Sequence, residues 1–171
     1  MKQYSQMKDS GIEWIGKIPK GWNVKPLQYI VKKIISGPFG SSLKKESYVS
    51  KGYKIYGQEQ VISGDLCFGD YYISKEKFDQ LRRFSVNPDD LLISCVGTFG
   101  KIALIPKQIQ EGIINPRLIK ISPSQEQIFP KFLYQYLKSK IVFLQLDKFS
   151  RGGTMDIINS SILSKILVFV P

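Results

Sequence analysis

Short apolar runs separated by turn-forming residues dominate this sequence and restrict what it can fold into. The runs are rich in Val, Ile, Leu and Tyr, which favour strands, and most are bounded by Gly, Pro, Asn, Asp or Ser. We predict strands at Asn23–Pro26, Ile30–Ile35, Tyr53–Tyr56, Asp70–Ile73, Leu91–Ser94, Ile102–Ile105, Arg117–Ile121 and Ile166–Val170.

Two segments have the apolar spacing of a helix. Ser74 can cap a short helix that runs through Phe78 and Leu81. A longer helix is predicted from Pro130 to about Leu146, with an apolar stripe formed by Phe132, Leu133, Tyr136, Leu137, Ile141 and Leu144. Together the segments predict an α+β fold, a single domain with a mostly antiparallel β core and a few helices.

The chain has no His, which excludes a Ser-His-Asp triad, a Cys-His pair and a His-ligated zinc. Its two Cys, Cys67 and Cys95, are too few for a four-thiolate site and fit a reducing compartment. Asp89 and Asp90 follow Pro88 in a turn, where we expect solvated carboxylates rather than metal ligands. We therefore predict no catalytic residue, no metal site and no enzymatic activity.

Targeting signals do not appear in the sequence. No apolar run reaches the roughly 18 residues of a membrane-spanning helix, and the N-terminus, MKQYSQMKDSGIEW, lacks the apolar region of a secretory signal. We expect a cytoplasmic protein with no membrane partner.

The charge is strongly positive and unevenly placed. The 171 residues carry a net charge of +11, made of +7 in residues 1–60, −2 in 61–100 and +6 in 101–171. Such an excess favours a polyanionic partner, because neutralising phosphates releases condensed counterions. A Lys-rich solubilising surface explains the charge almost as well, since 21 of the 25 basic residues are Lys.

Three glycine loops, GPFGSS, CVGTFGK and SRGGTMD, interrupt the predicted strands and helices. Glycine lets backbone N–H groups approach a phosphate, and neighbouring hydroxyl and basic side chains add donors. The donors beside these loops are Ser41, Ser42, Lys44, Lys45, Thr98, Lys101, Arg151 and Thr154. Ordinary hairpin and capping chemistry is an equally good explanation of the glycines.

A few side chains could contact DNA bases. Two Tyr-rich stretches, Tyr53–Gln58 with Tyr56 and Tyr71–Tyr72, could supply stacking surfaces. Gln58 could read an adenine edge, and Arg117 or Arg151 a guanine. Core packing remains the commoner role for a Tyr. The predicted DNA-binding residues are Ser41, Ser42, Lys44, Lys45, Tyr56, Gln58, Thr98, Lys101, Arg117, Arg151 and Thr154.

An ordered set of segments resembles a known family. The segments are GIEWIGKIPKGWNVKPL, SGPFGSSLKKESY, ISCVGTFGKIALIP, GIINPRLIKI, FLYQYLKS and ILVFVP, which together span about Gly11 to Pro171. In this order they are similar to the target recognition domain of the specificity subunit of Type I restriction–modification systems.

The resemblance implies a fold like that of target recognition domains and a non-catalytic reader of one half of a bipartite double-stranded DNA site. It implies that methyltransferase and restriction subunits of the same system are partners, and that these subunits, not this chain, use S-adenosylmethionine, ATP and Mg. The chain lacks the Asn/Asp-Pro-Pro-aromatic tetrapeptide of an adenine methyltransferase. Residues 1–10 are expected to be a polar tail and residues 11–171 the recognition domain.

Family chains continue past the segment that ends here at Pro171 into a spacer helix and a second recognition domain. We therefore expect a half-subunit, or more simply a piece trimmed at a domain edge, that needs a second recognition domain or a second copy for the other half-site. The alternative function from the residues alone is a protein-interaction module whose basic surface binds an acidic partner without reading DNA sequence.

Overall fold

The computed structural model describes residues 6–39, 42–95, 101–149 and 158–171. In chain order the strands are β1 (Met7–Asp9), β2 (Lys17–Pro19), β3 (Asn23–Pro26), β4 (Val31–Ser36), β5 (Tyr48–Val49), β6 (Tyr53–Tyr56), β7 (Tyr72–Ile73), β8 (Leu91–Ser94), β9 (Ile102–Leu104), β10 (Gly112–Ile114), β11 (Leu118–Pro123) and β12 (Leu167–Val170). The α-helices are α1 (Gln58–Ser63), α2 (Lys75–Gln80), α3 (Pro130–Leu137), α4 (Lys140–Phe149) and α5 (Ser160–Ser164).

A central antiparallel sheet has the strand order β4-β11-β8-β9. Its inner strands are buried on both faces, so they are apolar almost throughout instead of alternating with polar residues. Leu91, Ile93 and Ile119 point to one face and Leu92 and Leu118 to the other, as the two-residue period of a strand requires.

Each face of the central sheet packs against a separate apolar cluster. On the first face the partners are α3, α4, α5 and β12, which contribute Leu133, Leu137, Val142, Leu163 and Val168. On the second face the partners are a smaller sheet, ordered β10-β6-β7-β5, together with α1 and α2. In the smaller sheet β10 pairs with β6 in parallel and the other pairs are antiparallel. The fold is therefore α+β with a mostly antiparallel core, as predicted.

The sequence located most of these strands to within two residues, and the predicted cap of α2 is present because the Ser74 hydroxyl accepts the N–H of Lys77 at 3.2 Å. The prediction of one helix from Pro130 to about Leu146 is wrong. The chain turns at Lys138 and Ser139, where the Ser139 N–H donates to the carbonyl of Tyr136 at 2.9 Å, and a separate helix, α4, begins at Lys140. The core consequently receives Val142 and Leu146, while the predicted stripe residue Leu144 is 43% exposed.

Two smaller expectations also change. Met7–Asp9, inside the segment predicted as a tail, pairs with Lys17–Pro19 and so contributes a strand. Asp90, predicted to be solvated in a turn, is buried beside Lys120. Within the described residues no helix is both long and apolar enough to cross a membrane.

Candidate nucleic-acid interface

Described residues that flank the three glycine loops lie at one edge of the central sheet, the edge formed by strand ends. Strands β4 and β8 end there, at Ser36 and Ser94, and their antiparallel neighbours β11 and β9 begin there. The GPFGSS loop follows β4, and the segment between β8 and β9 carries CVGTFGK. The third loop, SRGGTMD, leads to Ile158, whose N–H donates to the carbonyl of Cys95 at 3.1 Å. The antiparallel register therefore brings the attachment points of all three loops to one place.

The turn before β11 fixes Arg117 at this edge. Its N–H donates to the side-chain oxygen of Asn115 at 2.9 Å, and its carbonyl accepts the N–H of Cys95 at 3.1 Å. Asn115 in turn donates its N–H to the carbonyl of Tyr56 at 2.8 Å. The backbone of Arg117 is thus held by two sheets, while its side chain is exposed to solvent.

Two glycines make room for the Asn115 turn. A Cβ at position 37 would lie 1.9 Å from the carbonyl oxygen of Asn115, and one at position 57 would lie 2.7 Å from its Nδ2. Real Cβ atoms essentially never approach another heavy atom closer than 3.0 Å, so position 37, which faces backbone, needs glycine, whereas a side chain at position 57 would require the Asn115 amide to move. The first glycine of GPFGSS therefore has a packing role, which supports the turn beneath Arg117.

A cleft of about 400 Å³ opens at this edge. Three residues predicted from the sequence line it: Lys45, Gln58 and Arg117. It is also lined by Tyr71, which the sequence offered as a stacking residue, and by three residues that were not predicted, namely Tyr48, Glu59 and Asn115. A guanidinium, an ammonium, a carboxylate, two amides and two phenol rings therefore share one concave surface.

A hydrogen bond to a buried side chain holds the side-chain amide of Gln58. Its Nε2 lies 2.5 Å from the hydroxyl of Ser94, which is fully buried at the end of β8. Gln58 is the first residue of α1, and the start of this helix is held by Gln60, whose Oε1 accepts the N–H of Gly57 at 2.8 Å. No helix was predicted here, because Gln58 follows a predicted strand without a capping side chain.

The two tyrosines form an aromatic wall. The rings of Tyr48 and Tyr71 meet edge to face, with centroids 6.0 Å apart, and Tyr71 is 43% exposed. Burial raises the pKa of the Tyr48 phenol, and the nearby Tyr71 and Glu59 add to the effect. The phenol therefore keeps its proton at neutral pH and can donate a hydrogen bond.

Three more predicted residues, Ser42, Lys44 and Lys101, are exposed. The carbonyl of Lys101 accepts the N–H of Ser94 at 3.1 Å, so Lys101 precedes β9 at the same edge. Four predicted residues, Ser41, Thr98, Arg151 and Thr154, lie outside the described residues.

The prediction that Tyr56 offers a stacking surface is wrong. Its side chain is fully buried, and its hydroxyl donates to the carbonyl of Gln110 at 2.6 Å. Burial also raises the pKa of this phenol. Tyr56 belongs to the core because it lies inside β6, between β10 and β7, whereas Tyr71 in the cleft is exposed.

Comparison with known proteins identifies the family. Residues 19–171 match the Type I restriction modification DNA specificity domain. Over 99 residues the chain is 30% identical to the Type I restriction enzyme EcoBI specificity subunit of Escherichia coli, a stretch that covers 58% of this chain and 21% of that protein.

Solved structures share the fold. The chain superposes on a protein of the type I R-M system, solved in work on its complex assembly and conformational transition, with a TM-score of 0.66, 18% identity and coverage of 96% of this chain and 37% of that one. It superposes on the HsdS subunit from Thermoanaerobacter tengcongensis with a TM-score of 0.62 and 19% identity, covering 96% and 36%. This chain therefore spans between a fifth and two fifths of these relatives. The match over nearly its whole length places it in the family of Type I restriction modification DNA specificity domains.

Proposed function

We propose that this chain recognises double-stranded DNA by sequence and reads one half of a bipartite target as part of a non-catalytic specificity subunit. The observation that carries the proposal is the cleft at the loop-bearing edge of the central sheet, where Lys45, Gln58, Asn115 and Arg117 meet. Side chains of these types supply the donors and acceptors that base edges and phosphates require. Membership of the specificity-domain family supports the same function.

Base reading is assigned to the residues whose backbones are fixed. Arg117 is suited to the O6 and N7 atoms of a guanine, and Gln58 to an adenine edge. Glu59, the acidic residue of the cleft, can accept a hydrogen bond from the N4 amino group of cytosine and repels the phosphate backbone. These three side chains would set the sequence preference.

Backbone contact is assigned to the exposed residues around the cleft. Lys45 lines the cleft, and Ser42, Lys44 and Lys101 are exposed; all four would bind phosphates without regard to sequence. The phenol of Tyr71 can pack against a sugar or a base. Such contacts position the domain on the duplex, while the base contacts specify the site.

The partners follow from the family. We propose that a methyltransferase subunit and a restriction subunit of the same system assemble with the specificity subunit and that they, rather than this chain, use S-adenosylmethionine, ATP and Mg. A second recognition domain or a second copy would read the other half-site. Incubating this chain alone with labelled DNA, a divalent metal and S-adenosylmethionine should give neither cleavage nor methylation, and either product would contradict the non-catalytic role.

The direct test is selection from a randomised duplex library at two salt concentrations, with and without the cognate methyltransferase subunit. The proposal predicts enrichment of one short motif that persists at the higher salt concentration. Binding without any sequence preference, lost as salt rises, would favour the protein-interaction module with a basic surface. A single domain buries little area on DNA, so the methyltransferase subunit is included to reach measurable affinity.

A further inference from the structure

A second polar cleft lies at the opposite edge of the central sheet, where β8 begins and β11 ends. Its volume is about 340 Å³. Cationic side chains from three separate parts of the chain line it: Lys32, Lys33, Arg82, Arg83 and Lys120. Two acidic side chains, Asp89 and Asp90, also line it, so positive charge is in excess. The sequence alone indicates no function for these residues.

The two carboxylates already have partners within the protein. Asp90 is 3% exposed; it accepts the hydroxyl of Ser122 at 2.6 Å and the N–H of Asn87 at 2.9 Å. Asp89 accepts the Nε2 of Gln125 at 3.0 Å. Both carboxylates of the cleft are therefore already engaged in hydrogen bonds within the protein.

The exposed cations lack such partners. The ion pairs among the described residues are Lys75 with Asp79 and Lys120 with Asp90. Across the described ranges, no carboxylate lies within 4.0 Å of the ammonium groups of Lys32 and Lys33 or the guanidinium groups of Arg82 and Arg83. All four side chains are exposed at the cleft. Like charges gathered in this way repel one another unless an anion joins them.

A buried cation, the Lys120 ammonium, lies at the floor of the cleft. The Lys120 ammonium is 3.8 Å from Asp90 and donates to the carbonyl of Ser85, so its position is fixed. Burial lowers the pKa of Lys120, Asp90 opposes this, and Lys33 lowers the pKa further. An anion seated above would favour the charged ammonium and reduce the repulsion between Lys120 and Lys33.

We infer that this cleft binds phosphate groups of a nucleic-acid backbone, separately from the base-reading cleft. Neighbouring guanidinium groups at Arg82 and Arg83 present planar donor forks, which match phosphate oxygens in pairs. The Arg83 guanidinium packs on the ring of Phe84 at 4.4 Å, so it is partly ordered before a ligand arrives. The inference rests on the proposed function only in taking nucleic acid as the ligand.

The position of the cleft allows two sources for the phosphate. The six residues of β11 separate the two edges, which corresponds to roughly 17 Å of extended chain or about five base-pair steps along a DNA strand. The phosphate can therefore belong to the flank of the duplex that is being read, or to a second duplex. Both sources present the same phosphodiester chemistry.

The test compares two variants that each lose two positive charges. Arg82→Gln/Arg83→Gln changes the cleft, and Lys131→Gln/Lys140→Gln is the matched control, with two exposed lysines of α3 and α4 on the other face of the sheet. Lys32→Gln/Lys33→Gln gives a second cleft variant. After thermal unfolding has established that each variant folds, anisotropy measures binding to scrambled duplexes of about 10 and about 30 base pairs, one and three helical turns, across a salt series.

On the longer duplex both cleft variants should show a salt dependence weaker than the control by about 0.9 in slope for each phosphate that the variant no longer neutralises. If the flank of the same duplex is bound, the wild type and the cleft variants bind the same number of duplexes per chain. If a second duplex is bound, the stoichiometry falls from two duplexes to one in the cleft variants.

Equal slopes for the cleft variants and the control at both lengths would overturn the inference. Failure of the proposed function would show differently, as a wild-type chain with no sequence preference. That outcome leaves the comparison on scrambled DNA intact.

Discussion

Asn115 occupies the space that a side chain at position 37 would need, so Gly37 holds the turn that carries Arg117. A Cβ at this position would lie 1.9 Å from a backbone oxygen, which cannot rotate away as a side chain can. Gly37→Ala should therefore lower the free energy of unfolding by about 1–3 kcal/mol, the usual cost of overpacking. Urea unfolding measures the change.

The matched control for this substitution is Gly21→Ala. A Cβ at position 21 meets nothing within 4 Å, and its φ is not in the left-handed region. We expect the control to stay within about 0.5 kcal/mol of the wild type. Equal unfolding midpoints for the two variants would show that the backbone at Gly37 yields easily, and that the Asn115 turn does not depend on it.

Gln58 and Lys101 lie at the same edge, but replacing them should change DNA binding in different ways. Gln58→Ala should cost roughly 1–3 kcal/mol on target DNA and relax one position, because it removes a base contact. Lys101→Ala should weaken binding similarly for all sequences, because a phosphate contact carries no sequence information. Affinities for target and scrambled duplexes distinguish the two effects. Equal loss on both duplexes for Gln58→Ala would contradict its base-reading role.

The two cysteines differ in their exposure to solvent. Cys95 is 9% exposed at the end of β8, and burial raises the pKa of its thiol, whereas Cys67 is exposed. Alkylation requires the thiolate, so at mildly alkaline pH Cys95 should react more slowly than Cys67 and gain reactivity only at higher pH. Mass spectrometry of partly alkylated protein measures both rates. Equal rates in the folded protein would contradict the burial of Cys95.

At the scale of elements, strand positions could be predicted from local pattern but the helix break could not. Leu91–Ser94 and Tyr53–Tyr56 are apolar runs bounded by turn residues, and the structure has strands over the same residues. The break at Lys138 and Ser139 is different, because a continuous stripe through Leu144 satisfies the helical period equally well. Packing favours two helices over one continuous helix, since Val142 and Leu146 of α4 are buried in the core.

The buried pair Asp90–Lys120 links the start of β8 to the middle of β11. Removing one partner leaves an uncompensated buried charge, so Lys120→Met should destabilise the fold by about 3–5 kcal/mol. The double variant Asp90→Asn/Lys120→Met should recover much of that loss, since no charge then remains buried. Denaturant unfolding of the single and double variants measures the coupling. Additive losses would contradict a direct interaction between the two groups.

At the scale of the whole molecule, the sequence could supply the candidate residues of the site but not their assembly. Lys45, Gln58 and Arg117 stood out as polar residues near strand ends and loops, yet they are up to 72 positions apart. Their meeting depends on the antiparallel register of the central sheet and on the parallel pairing of β10 with β6. Tyr48 carries no local signal, and the Tyr-rich stretches offered Tyr56 and Tyr71 alike, because only that packing distinguishes an exposed tyrosine from a core one.

The second cleft was equally hard to predict. Arg82 and Arg83 form an ordinary basic end of a helical segment in the sequence, and Lys32 and Lys33 an ordinary exposed strand pair. Only the central sheet brings them to one edge. Charge clusters assembled from distant segments are therefore the features of this molecule that are hardest to predict from its sequence.

The most direct measurement is selection of randomised duplexes with the wild-type chain and with Arg117→Ala, each in the presence of the methyltransferase subunit. Asn115 and Cys95 hold the backbone of Arg117, so the variant should keep its turn and lose only its side chain. We predict that the wild type enriches one short motif and that the variant enriches the same motif with a single guanine position relaxed. An unchanged motif at lower overall enrichment would contradict base reading by this cleft.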